Sequence, residues 1–95
     1  MKKNEFIESI VKGNEPDASC SIYLKSLWYD GKNNWEQAHT IIQDTEDRLA
    51  QRIHAYLHRK EGDLWNAGYW YNKAGLKTPA MSLQQEWNEL LDSLF

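Results

Sequence analysis

Cysteine is almost missing from this 95-residue chain. Cys20 stands alone, so neither an intrachain disulfide nor a cysteine-based zinc cage is available. Long apolar runs are missing too. None approaches the roughly 20 residues of a membrane span, and mean hydropathy is −0.79, so no membrane partner is expected. The opening Met1-Lys2-Lys3-Asn4-Glu5-Phe6 has charge but no apolar core, because Glu5 and Glu8 interrupt it. No secretory leader is expected from it, and the cytoplasm is the expected compartment. An excess of positive charge is also absent. Eleven Lys and Arg against fourteen Asp and Glu leave a net charge of −3, which gives no global pull toward nucleic acid. There is no GxGxxG or GxxxxGK[ST] phosphate loop and no GxSxG elbow. The sequence therefore calls for no cofactor and offers no recognisable catalytic set.

Five Trp and five Tyr are present, which argues for a packed domain rather than disorder. Two Pro and five Gly fall between periodic stretches and divide the chain into about six short helices. Asn4 is a candidate cap for a first helix carrying Phe6, Ile7, Ile10 and Val11, with Gly13 as a left-handed stop. Ala18, Ile22, Leu24, Leu27 and Trp28 mark the second. Asn34 opens the third, with Gln37 placed to complete a capping box. Leu49, Ile53, Tyr56 and Leu57 mark the fourth, ending at Gly62. Asp63 opens the fifth, Leu64 to about Ala74, and Gly75 closes it. Thr78-Pro79 or Ser82 starts the sixth, which carries Leu83, Trp87, Leu90 and Leu94. No stretch alternates with period two for long, so the expected fold is a single all-α domain spanning residues 1–95.

An internal repeat organises these helices. Asn33-Asn34-Trp35-Glu36-Gln37-Ala38 and Gly62-Asp63-Leu64-Trp65-Asn66-Ala67 share a turn residue, a cap and a small residue at an offset of 29. Four residues past each Ala stands a large side chain, Ile42 or Tyr71. The second unit, with Ala55, His58, Gly62, Ala67, Tyr71, Ala74 and Pro79, resembles a tetratricopeptide repeat. The first follows the pattern more loosely through Ser26, Tyr29, Asn33, Ala38 and Ile42. His58 stands where that family usually has an aromatic residue. The resemblance implies two tandem helical hairpins over residues 18–79, closed by a C-terminal capping helix over 80–95, and a protein-binding role. It does not extend to the peptide-terminus clamp, whose Lys and Asn are replaced by Tyr23 and Leu27. The stretch His54 to Asp63, followed by Asn66-Ala67 and Tyr69-Trp70-Tyr71, is also similar to a family of small, functionally uncharacterised bacterial proteins, a likeness that implies no activity.

Three groups of residues could carry function. Arg52, Tyr56, Arg59 and Lys60 share one side of the fourth helix, which the repeat register turns toward the concave groove. Arg forks suit carboxylates and Tyr offers a flat apolar contact, so an acidic peptide or protein would fit. His54 and His58 lie i, i+4 on another face of the same helix, with His39 on the helix before. Helical metal sites use that spacing. Glu61 or Asp63 could add an oxygen, yet the HExxH signature is absent. The plainer expectation is that the histidines are buried and hydrogen-bonded, to Asn66 or a tyrosine hydroxyl. Finally, Trp65 and Tyr69 are expected to pack on the C-terminal helix. The leading reading is a non-catalytic interaction module, monomeric or homodimeric, without a resident metal. The rival is a ligand- or metal-binding protein, or an enzyme, centred on His39, His54 and His58. Three rings converging on one point would favour the rival.

Overall fold

A computed structural model describes residues 1–95. It contains six helices and no strand: α1 (Lys3–Lys12), α2 (Ile22–Gly31), α3 (Trp35–Ile42), α4 (Arg48–Glu61), α5 (Leu64–Lys73) and α6 (Leu83–Asp92). No helix is long and apolar enough to cross a membrane.

Short polar side chains set most of the helix starts. Ser21, Asn34, Asp47, Asp63 and Ser82 each accept a hydrogen bond from the amide three residues on, satisfying a donor that the first turn leaves unpaired. At α6 the box is reciprocal, since the Ser82 amide donates to Gln85 Oε1 at 2.9 Å. At α3 it is not, and Gln37 contributes only its backbone N–H. The α1 start also differs from expectation. Lys2 rather than Asn4 precedes the first turn, and its amide donates to Glu5 Oε1. Helix α2 begins at Ile22, because residues 18–20 form turns and a bend.

Three stops share one geometry. Gly62 (φ 89°), Gly75 (φ 76°) and Asn33 (φ 63°) take the left-handed conformation that ends α4, α5 and α2. Gly13 does not. At φ −94° its backbone is extended, and glycine is needed there for space: an added Cβ would lie 2.8 Å from the Ser9 carbonyl oxygen.

Helices α2 and α3 form one hairpin, and α4 and α5 form a second. Small residues permit the close approach in both. Ser26 Oγ donates to the Ala38 carbonyl at 2.8 Å across the first. Ala55 and Ala67 are fully buried across the second, with Tyr71 filling the space beside them. Ser26 pairs with Ala38 and Ala55 with Ala67 at the same 29-residue offset, so the sequence repeat corresponds to a structural one.

Helix α4 is central, since α2, α3, α5 and α6 all pack on it. The main core joins Phe6 and Ile10 of α1, Leu27 and Trp28 of α2, Ala38 and Ile42 of α3, Ile53 and Leu57 of α4, and Trp87, Leu90 and Leu91 of α6. At about 25 cal/mol per Å², burying such side chains is the dominant stabilising term. Helix α6 closes the open side of the hairpins, and the Trp87 indole N–H donates to the Leu27 carbonyl at 3.2 Å. Trp65 and Tyr69 do not pack on α6 as expected. Trp65 is 78% exposed and Tyr69 49% exposed, stacked on each other at the outer face of α5.

Candidate functional site

Two polar clusters lie on opposite sides of α4. The first contains the basic residues singled out from the sequence. Lys60 Nζ lies 2.8 Å from Asp30 Oδ1, and the Tyr56 hydroxyl donates to Asp30 Oδ2 at 2.7 Å. Arg59 donates to Glu86 Oε1 at 2.9 Å and to the Met81 carbonyl. Arg52 donates to Glu89 Oε1 at 3.0 Å and lies 3.5 Å from Glu86 Oε2. The Tyr71 hydroxyl completes the set at 2.5 Å from Glu86 Oε1. Burial and the neighbouring carboxylates, Asp30 for Tyr56 and Glu86 for Tyr71, push both phenols far above their usual range, so both hydroxyls stay protonated donors.

These pairings correct the picture of a solvated groove. Asp30 and Glu86 are fully buried, and they pair with Lys60 and Arg59, whose side chains are 32% and 14% exposed. Arg52, Arg59 and Lys60 meet Asp30, Glu86 and Glu89, so three positive charges face three negative ones. Tyr56 is a core residue, 2% exposed. The cluster fastens α4 to α2 and α6.

The second cluster brings all three histidines together. His39 comes from α3, and His54 and His58 from successive turns of α4. His39 Nε2 and His54 Nε2 are 3.0 Å apart. One potential ligand nitrogen from each of the three rings lies within 4.8 Å of the others. His54 and His58 are buried, while His39 is half-buried.

Aromatic neighbours hold the rings in place. Trp35, one turn before His39, stacks on it with ring centroids 4.8 Å apart and planes 11° from parallel. Trp70 of α5 stacks on His54 at 4.1 Å and 22°. The Trp35 indole N–H donates to the Leu57 carbonyl at 2.6 Å, which fixes that wall. Neither Asn66 nor a tyrosine hydroxyl meets the histidines. Asn66 Nδ2 donates to Asp63 instead.

Electrostatics favour the neutral, lone-pair-bearing form of His54 and His39. Burial, with the neighbouring His39 and His58, lowers the His54 imidazolium from 6.5 to about 4. Burial first, then His58, also lowers His39, which Glu61 partly offsets. His58 Nδ1 lies 2.6 Å from Glu61 Oε2. With Nδ1–H donating to the carboxylate, the lone pair of His58 is left on Nε2.

The residues that complete both clusters were the ones missed in the sequence. Asp30 lies in the last turn of α2, where the helix dipole disfavours an acid. That misplacement signals a cationic partner. Trp35 and His39, at i, i+4, were predictable neighbours, whereas the Trp70 contact depends on the second hairpin's approach. The chain matches no family model, no curated protein and no solved structure.

Proposed function

We propose that this protein binds a divalent transition-metal ion through His39, His54 and His58. The observation that carries the reading is the convergence of three imidazoles, from two helices, onto one point. Imidazole nitrogen is a borderline donor suited to Zn²⁺, Cu²⁺, Ni²⁺ and Co²⁺. Around a tetrahedral ion with bonds of about 2.0–2.1 Å, ligand nitrogens stand about 3.3 Å apart. The existing separations, from 3.0 Å up to the 4.8 Å limit, need ring movements on the order of 1 Å. Only one of the two facing Nε2 atoms can carry the proton of the His39–His54 contact. Binding moves that proton to the ring's own Nδ1 and frees both Nε2 lone pairs for the ion.

The interaction-module reading, with an acidic partner on Arg52, Tyr56, Arg59 and Lys60, has less support. Such a partner would have to displace Asp30, Glu86 and Glu89, which already fill those positions.

The test is titration of metal-free protein with Zn²⁺ and Ni²⁺ by calorimetry, followed by elemental analysis. One ion per chain is expected, with higher thermal stability in its presence. His39→Gln and His58→Gln should each cost most of the affinity. His39 is the informative variant because it is half-exposed, and circular dichroism checks its fold. Absence of a one-to-one complex, or unchanged affinity in folded His39→Gln, would sink the reading.

A further inference from the structure

We infer that an ion held by this triad keeps one coordination position free for a small monodentate anion, hydroxide included. The inference rests on the three-histidine reading above and concerns what completes the ion's coordination. Closed structural zinc sites use four protein ligands, whereas three-ligand sites retain a water. No fourth Cys, Asp, Glu or His joins the triad. The only other such grouping is His58, Glu61 and Asp63, and it shares His58 alone. Cys20 lies elsewhere, next to Asp17 and Lys25.

The surroundings also leave no substitute ligand. Trp35 and Trp70 flank the triad through stacked ring faces, and an indole N–H is a donor without a lone pair to give. The Trp35 N–H is in any case committed to Leu57. His39, half-buried, is the member of the triad that reaches solvent.

Charge specifies the ligand's chemistry. Three neutral imidazoles leave both positive charges of a divalent ion unneutralised, and the nearest carboxylate, Glu61, is engaged with His58 Nδ1. Such an ion attracts an anion, and it acidifies a bound water by several units. Glu61 is therefore a positioning residue. It fixes the His58 tautomer and raises the basicity of the ring without occupying the ion.

The test uses the full chain loaded with Co²⁺, whose visible bands report coordination. Azide is the probe anion. The expected result is a saturable change in the bands on azide addition, with half-saturation moving to higher azide as pH rises and hydroxide competes. Glu61→Gln should weaken Co²⁺ binding roughly 10- to 100-fold yet keep the azide response at saturating metal. Bands that ignore both azide and pH would overturn the open position while leaving the three-histidine site standing. Bands silent in the wild type but azide-sensitive in Glu61→Gln would show that Glu61 is itself the fourth ligand, which also overturns it. A chain that takes up no Co²⁺ would sink both readings together.

Discussion

The two polar clusters on α4 have opposite chemistry. On one side Arg52, Arg59 and Lys60 are matched by Glu89, Glu86 and Asp30. On the other, three imidazoles crowd together with one carboxylate at their edge. Buried charge is tolerated when it is paired and hydrogen-bonded. The first cluster meets that condition for every buried charge, with only Glu86 Oε2 left to an ion pair with Arg52 at 3.5 Å and no hydrogen bond. In the second, burial favours neutral His54 and His39, which leaves nitrogen lone pairs that no protein donor outside the cluster occupies. A satisfied cluster fastens helices, whereas surplus lone pairs at one point invite a cation.

The largest expected effect comes from breaking the balanced side. Glu86 accepts from Arg59 and Tyr71, faces Arg52, and is fully buried. Glu86→Ala would take the carboxylate from a part-buried guanidinium and leave a buried phenol without its acceptor. Such losses typically cost about 3–5 kcal/mol, a large part of a small domain's stability. Urea unfolding should show this as a lower midpoint. A midpoint within error of wild type would mean that Glu86 is dispensable and that the contrast between the clusters is wrong.

Acidification should act on the neutral side. In the folded protein His54 titrates at about 4 rather than 6.5, and His39 is lowered in the same direction. Between those values the unfolded chain holds the His54 proton and the folded chain does not. Stability is thus full above about pH 6.5 and falls as pH drops from 6.5 toward 4. By pH 5, where most carboxylates remain ionised, the His54 contribution has lost roughly 2 kcal/mol. Urea unfolding of the metal-free chain from pH 7.5 to 5 measures the slope. A flat profile over that range would show that the histidines do not share a buried site.

Much of this architecture was legible because its determinants are local. Capping side chains at Asn34, Asp63 and Ser82, the glycines at 62 and 75, and the repeated small residues Ala38 and Ala67 act within one turn or one hairpin. The histidine set was readable as a candidate for the same reason, since i, i+4 places His54 and His58 on one face. What it faced was not readable. Trp70 reaches His54 from α5, and Glu86 reaches Arg59 from α6, 27 residues away. The helical periodicity of α4 showed a basic stripe. It could not show that α2 and α6 would bring carboxylates onto that stripe, because helix-to-helix docking is decided by non-local packing. Trp65 is the converse case: a large aromatic side chain, well round the helix from the Ala67, Tyr71 and Ala74 stripe, that α6 never reaches.

The smallest expected effect separates the two ends of the balanced cluster. Arg52 has a side chain 20% exposed and its partner Glu89 is 51% exposed, whereas Asp30 and Glu86, which hold Lys60 and Arg59, are buried. Ion pairs near the surface contribute roughly 0–1 kcal/mol, because water screens them and two long side chains must be held still. Arg52 also lies 3.5 Å from Glu86 Oε2, an oxygen with no hydrogen bond of its own, which keeps the contribution above zero. Arg52→Gln should therefore lower stability by no more than about 1 kcal/mol. Salt gives the sharper measurement. The Debye length contracts from about 10 Å at 0.1 M to about 3 Å at 1 M, so the gap between Arg52→Gln and wild type should shrink as sodium chloride rises. The gap for Glu86→Ala should persist, because its charges are paired where ions do not penetrate. If the two gaps respond to salt alike, the cluster is uniformly solvated, and its arginines would again be available to an acidic partner.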